Sequence, residues 1–136
     1  MDLTNLKRQH KEILALAASI KQLSKVHELE AKAMDISMEL GKLSGKVSVH
    51  LSSEDKFLYP SLLSHPNDKV KAIARRFINE MSGISKVFYD YKTKYLAPSK
   101  IKANPEQFSK ETDAVFAALQ KRIELEEKEL YPLLAK

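Results

Sequence analysis

The chain predicts an all-α fold: an antiparallel up-down-up-down four-helix bundle with an internal pseudo-twofold repeat. Three observations lead there. Only three glycines and five prolines occur among 136 residues, against abundant Leu, Ala, Lys and Glu. Apolar positions recur in alternating steps of three and four, the period of amphipathic helices. Finally, VHLSSEDKFLYPSLL returns near the C-terminus as KRIELEEKELYPLLA. Aligning His50 with Arg122 keeps Glu54/Glu126, Lys56/Lys128, Leu58/Leu130, Tyr59/Tyr131, Pro60/Pro132 and Leu62/Leu134.

The first helix follows Leu3, Leu6, His10, Ile13, Ala17 and Ile20. The second follows Ile36, Leu40, Leu43, Val47, His50, Glu54 and Phe57; its junction with the first lies near Leu23 to His27. Ser64-His65-Pro66-Asn67-Asp68 separates it from the third, which follows Ile73 or Ala74, then Phe77, Met81, Ile84, Phe88, Tyr91 and Tyr95. Pro98 closes that helix. Asn104-Pro105-Glu106-Gln107 reads as an N-cap, a proline at the first helical position and a capping-box glutamine. The fourth follows Phe108, Thr112, Val115, Leu119, Arg122, Glu126, Leu130 and Leu133. Short connections between four such helices favour antiparallel neighbours, in a single domain over residues 1–136.

Composition excludes several classes of chemistry. The absence of cysteine removes disulfides, thiolate ligands and thiol nucleophiles together. MDLTNLKRQH carries no apolar signal region and no run approaches a membrane span, so a cytoplasmic protein with no membrane association is expected. The net charge of +5 is modest. Lysines from Lys86 to Lys102 interleave with Tyr89, Tyr91 and Tyr95, but a solvated helix face explains them better than nucleic-acid binding. There is no Glu-x-x-His, no glycine-rich phosphate loop, no His-Glu-x-x-His and no Ser/His/Asp set at a nucleophile elbow. The expectation is a protein that is not an enzyme.

The informative residues are polar ones on core-facing stripes. His10, His50, Glu54, Arg122 and Glu126 fall where neighbouring stripe positions are apolar or small. Burying an unpaired carboxylate or guanidinium costs several kcal/mol, so these groups must converge on partners or on a metal. His50 and Glu54, four residues apart, share one helix face about one turn apart, as a carboxylate-histidine metal site needs. Taken singly, His10 reads as a hydrogen-bonded core histidine, Glu126 as the i,i+4 partner of Arg122, and Met81 as core filling. Tyr59 and Tyr131, related by the repeat, are read as lining the bundle's end, with a hydrogen bond into the site as the lesser alternative. Gly41, Gly45 and Gly83 suggest close helix approach, and His27 and His65 are expected to face solvent.

QHKEI in the first helix, HLSSEDKFLYP in the second, and the degenerate copies EMSGI and RIELEEKELYP in the third and fourth resemble the hemerythrin-like, or HHE cation-binding, domains over nearly the whole chain. The resemblance implies a four-helix bundle holding two irons, serving oxygen binding, sensing or stress response. It implies that His10 and His50 ligate one metal position, with Glu54 and Glu126 bridging or completing the pair. The second position should take histidines from the third and fourth helices. Here Met81 and Arg122 stand in their places. Methionine is a soft donor that suits Cu(I) better than iron, and arginine, always cationic, is no ligand. The expectation is therefore one metal ion, iron, held by His10, His50, Glu54 and Glu126. Arg122 would bridge the two glutamates as a counter-cation in the degenerate position. The implied partners are the metal ion and dioxygen or another small diatomic ligand. The alternative is a metal-free bundle acting as an interaction module around an Arg122-Glu salt-bridged core.

Overall fold

The structure, a computed structural model, describes residues 3–134, Val26 by its backbone alone. It is helical, with no strand among the described residues. Four long helices dominate: α1 (Thr4–Leu23), α2 (Leu29–Ser53), α4 (Asp68–Tyr95) and α6 (Pro105–Leu125). Two short ones, α3 (Tyr59–Leu63) and α5 (Pro98–Ala103), follow α2 and α4. α1 packs along α2 and touches α6, α4 packs against α6 and α2, and α5 lies against α2, α4 and α6.

Capping chemistry sets the boundaries. The Asn67 side chain accepts the Lys69 N–H at the start of α4. The Asn104 side chain accepts the Gln107 N–H at the start of α6, while its own amide donates to Gln107 Oε1. Each satisfies a backbone donor that the helix itself leaves unpaired. The sequence places the α6 start correctly but not α5, a single turn opened by Pro98 whose Ile101 is fully buried. It also starts the second helix's stripe too late, since Leu29 and Ala33 are buried two turns and one turn before Ile36.

The two repeats share a feature that apolar spacing does not reveal. A π-turn interrupts each helix, over Glu54–Leu58 and over Glu126–Leu130. Tyr59 N–H reaches Glu54 O and Tyr131 N–H reaches Glu126 O, five residues back. Each turn lies directly before a Tyr-Pro pair. A proline ring collides with the carbonyl four residues earlier and offers no N–H, and a widened turn at that point relieves both problems. The consequence for Phe57 corrects the expected stripe: Phe57 is 61% exposed and Leu58 is buried in its stead.

Core packing falls into two apolar clusters. One contains Ile13, Ile20, Ile36, Leu40, Val47, Phe88, Tyr91, Phe108 and Ile123. The other contains Leu3, Leu6, Leu58, Leu62, Phe77, Met81, Leu130 and Tyr131. Along α1, His10 lies between Leu6 of one and Ile13 of the other. After α2, His50 and Glu54 lie between Val47 and Leu58, and on the α6 side Glu126 lies between Ile123 and Leu130. A polar layer thus divides the apolar interior.

The glycines do not serve close approach. Gly41, Gly45 and Gly83 are exposed, and a Cβ added at any of them meets nothing within 4 Å. Gly41→Ala and Gly45→Ala are therefore each expected to stabilise the fold by about 0.5–1 kcal/mol, because alanine loses less backbone entropy in a helix. Urea denaturation checks this; destabilisation by either substitution would mean that something packs on that face.

Candidate metal centre

The polar layer gathers the five residues singled out on the stripes. His10 and His50 are 1% and 3% exposed, and Glu54 and Glu126 are fully buried. One ligand atom from each of these four lies within 4.8 Å of those from the others, so the group could hold a metal ion. His10 Nε2 stands 2.9 Å from His50 Nε2. Glu126 Oε1 lies 3.3 Å from His10 Nε2 and 3.9 Å from His50 Nε2, and Glu54 Oε1 lies 3.4 Å from His50 Nε2.

The outer ring nitrogens explain why the inner ones face each other. His10 Nδ1 donates to Glu127 Oε1 at 3.1 Å, and His50 Nδ1 donates to Gln9 Oε1 at 2.8 Å. An acceptor on Nδ1 fixes the tautomer and aims the Nε2 lone pair inward. Two lone pairs cannot face each other across 2.9 Å without a cation between them, either a proton or a metal. Glu126 Oε1 adds a third acceptor, fully buried and with no hydrogen-bond partner. Buried acceptors without donors are rare because each costs its full desolvation. The donor set therefore fits a cation.

Arg122, 5% exposed, takes the other side of the carboxylates. Its NH2 donates to Glu54 Oε1 at 3.2 Å and its NH1 to the Met81 carbonyl at 3.2 Å. Its Nε lies 3.6 Å from Glu126 Oε2, an ion pair but not a hydrogen bond. The expected fork across both glutamates is thus realised as a hydrogen bond to one and a charge contact to the other. Met81 contributes its backbone carbonyl here, while its side chain packs in the apolar cluster.

Tyr59 and Tyr131 do more than line the bundle's end: the lesser alternative, a hydrogen bond into the site, is the one the structure holds. Tyr59 OH donates to Glu126 Oε2 at 3.3 Å, and Tyr131 OH donates to Glu54 Oε2 at 3.0 Å, so each tyrosine holds the other repeat's glutamate. Five residues of regular α-helix would separate Glu and Tyr by about 140° around the axis, whereas a π-turn brings them toward one side. The Tyr-Pro pair in both repeats was the sequence signal for this. Gln9 and Glu127, beside His10 and Glu126 in the chain, were also missed. His27 is exposed as expected; His65 is half-buried and its Nδ1 accepts the Asn67 N–H.

Electrostatics divides the two carboxyls. Burial, with the nearby Glu126 charge, pushes Glu54 well above the ordinary carboxylate range. Burial would also raise Glu126, but the His10 and His50 rings 3.3 and 3.9 Å away, the neighbouring Glu54 and the Arg122 charge outweigh it and hold Glu126 low. Burial lowers His50, partly offset by the Glu126 carboxylate beside it. Arg122 loses by burial and gains more from the Glu126 and Glu54 charges, so it stays cationic. The Glu54 contribution to stability is present at acid pH and is lost as pH rises through its raised value. Those of Glu126 and His50 are present above their ordinary values and are lost as pH falls.

A metal binding here displaces the Glu54 proton. Uptake is expected to release about one proton per ion below Glu54's raised value, and affinity should rise with pH. Calorimetric titration in two buffers of different protonation enthalpy measures this. A heat of binding independent of buffer, with affinity flat from about pH 5 to 8, would contradict the assignment.

The chain matches the family model described as the hemerythrin HHE cation binding domain over residues 1–134, and it belongs to that family. No curated protein and no solved structure matches it. Among the described residues, no helix is long and apolar enough to cross a membrane.

Proposed function

We propose that the protein binds a single metal ion, iron, through His10, His50, Glu54 and Glu126. Its role would be sensing, storage or stress response rather than turnover. In this reading the four long helices form an up-down-up-down bundle about a pseudo-twofold, and Arg122 serves as the internal counter-cation at the second metal position. The observation that carries it is the pair of imidazole nitrogens 2.9 Å apart, each with its other nitrogen already committed. The partnerless Glu126 Oε1 beside them supports it.

Two imidazoles and two carboxylates suit iron, with manganese and zinc as chemical competitors. With both carboxyls ionised, Glu54, Glu126 and Arg122 sum to −1, and a divalent ion brings the layer to +1. When bound, iron supplies a redox-active Lewis acid able to take a small ligand such as dioxygen. The chain's own part is to fix the donors. Gln9 and Glu127 orient the rings, Tyr59 and Tyr131 occupy one oxygen of each carboxylate, and Arg122 balances charge where a second ion would sit.

Metal analysis of protein purified from iron-supplemented cells tests this reading. One iron per chain is expected, with loss of binding in His50→Ala and Glu54→Ala. Protein that carries no metal after such loading would instead support a metal-free bundle with a salt-bridged core.

A further inference from the structure

Tyr131 stands among the metal donors although no part of the His-x-x-x-Glu pattern contains it. Its hydroxyl lies 3.0 Å from His10 Nε2 and 3.0 Å from Glu54 Oε2. The ring is 1% exposed and stacks on His10, with planes 8° apart. The hydroxyl has one proton and two acceptors within reach, Glu54 Oε2 and the inward lone pair of His10, so its oxygen belongs to the same cluster as the two imidazole nitrogens. A cation at that point would take both imidazole lone pairs and the phenol oxygen together.

The donor separations support this. Ligands about 2.1 Å from one ion lie about 3.0 Å apart at right angles and about 4.2 Å apart when opposite. The closest contacts run from 2.9 Å for His10–His50 and 3.0 Å for His10–Tyr131 to 3.4 Å for His50–Glu54 and 3.9 Å for His50–Glu126. The shortest sits at the lower end of that range, about 0.1 Å below the right-angle value, and the others fall inside it. Tyr59, by contrast, reaches only Glu126 Oε2 and has no imidazole nitrogen as a hydrogen-bond partner.

We propose that Tyr131 is a fifth protein ligand, binding ferric iron through its hydroxyl oxygen as a phenolate. This rests on the one-iron reading above. On binding, the O–H bond breaks, the proton is released to solvent and the oxygen pair forms the bond to iron; no electron is transferred. Charge favours the arrangement. Ferric iron with Glu54, Glu126 and the Tyr131 phenolate, beside Arg122, carries the same net charge as ferrous iron with the two glutamates alone. The phenolate thus neutralises the added charge of the oxidised ion inside a buried layer.

The test loads metal-free protein with one equivalent of ferric citrate and records its visible and resonance Raman spectra. Wild type is expected to show a phenolate-to-iron charge-transfer band with tyrosinate ring modes enhanced in it. Tyr131→Phe should lose the band and weaken iron binding about tenfold or more. Tyr59→Phe should retain the band. Wild type that takes up one iron without the band overturns the Tyr131 assignment alone, as does a band that survives Tyr131→Phe or disappears in Tyr59→Phe. Wild type that takes up no iron overturns the one-iron reading and this proposal with it. The Raman signature is read on wild type, so the assignment can be judged even if Tyr131→Phe does not fold.

Discussion

Arg122→Met is expected to destabilise the metal-free protein by about 3–5 kcal/mol at neutral pH, the usual cost of breaking a buried ion pair from one side. Glu54 and Glu126 are fully buried, and among the described residues Arg122 is the one permanent cation that contacts both. Without it, two carboxyls face each other in an apolar interior with only imidazoles to answer them. Glu126 loses one of the influences holding it low, and Glu54 is pushed further up by a less compensated neighbour. A raised carboxyl favours the fold at acid pH and loses that contribution as pH rises, so the deficit should grow from about pH 5 to 8. A bound divalent ion supplies the missing positive charge. The metal-loaded variant should therefore lose much less stability than the metal-free one, and the gap between their Tm values should widen relative to wild type. Denaturation of both forms at both pH values measures this. Equal losses with and without metal, or a loss under about 1 kcal/mol, would show that Arg122 does not hold the carboxylate pair together.

The second large effect concerns stoichiometry. Met81→His combined with Arg122→His is expected to raise iron uptake from one ion per chain toward two. The two positions are adjacent, because Arg122 NH1 bonds the Met81 carbonyl. They also line a common cleft of about 230 Å³ with Asp55, Tyr59 and Ser82. Imidazoles there would face the glutamates from the side opposite His10 and His50. The substitution would also remove the guanidinium whose charge repels a second cation. Iron analysis of the double variant decides the matter. Uptake no greater than that of the parent would mean that EMSGI and RIELE are wrongly aligned with the first half of the chain.

Much of this site was legible in the sequence because burial leaves a periodic trace. His10, His50, Glu54, Arg122 and Glu126 broke apolar stripes at one depth, and all five meet there. What escaped was local backbone geometry. The π-turns arise from a conflict between each proline and the carbonyl before it, and apolar spacing records only their outcome, an exposed Phe57 and a buried Leu58. Those turns swing Tyr59 and Tyr131 onto the glutamates, so a hydrogen bond from the tyrosines into the site, only the lesser alternative in the sequence, is what the structure holds. Gln9 and Glu127 escaped for another reason. A side chain that orients a histidine from the surface has no burial signature, and Glu127 is 45% exposed. The glycines misled because a missing side chain reads equally as close packing or as open surface, and here the space is open.

The proposed function requires a cation lying between His10 Nε2, His50 Nε2, Glu54 and Glu126. An anomalous difference map at the iron edge, from crystals of iron-loaded protein, looks for that ion directly. It should show one peak per chain within bonding distance of both imidazoles and both carboxylates, with the Arg122 guanidinium beyond them. A map with no peak among these side chains, or with the iron elsewhere on the molecule, would contradict it.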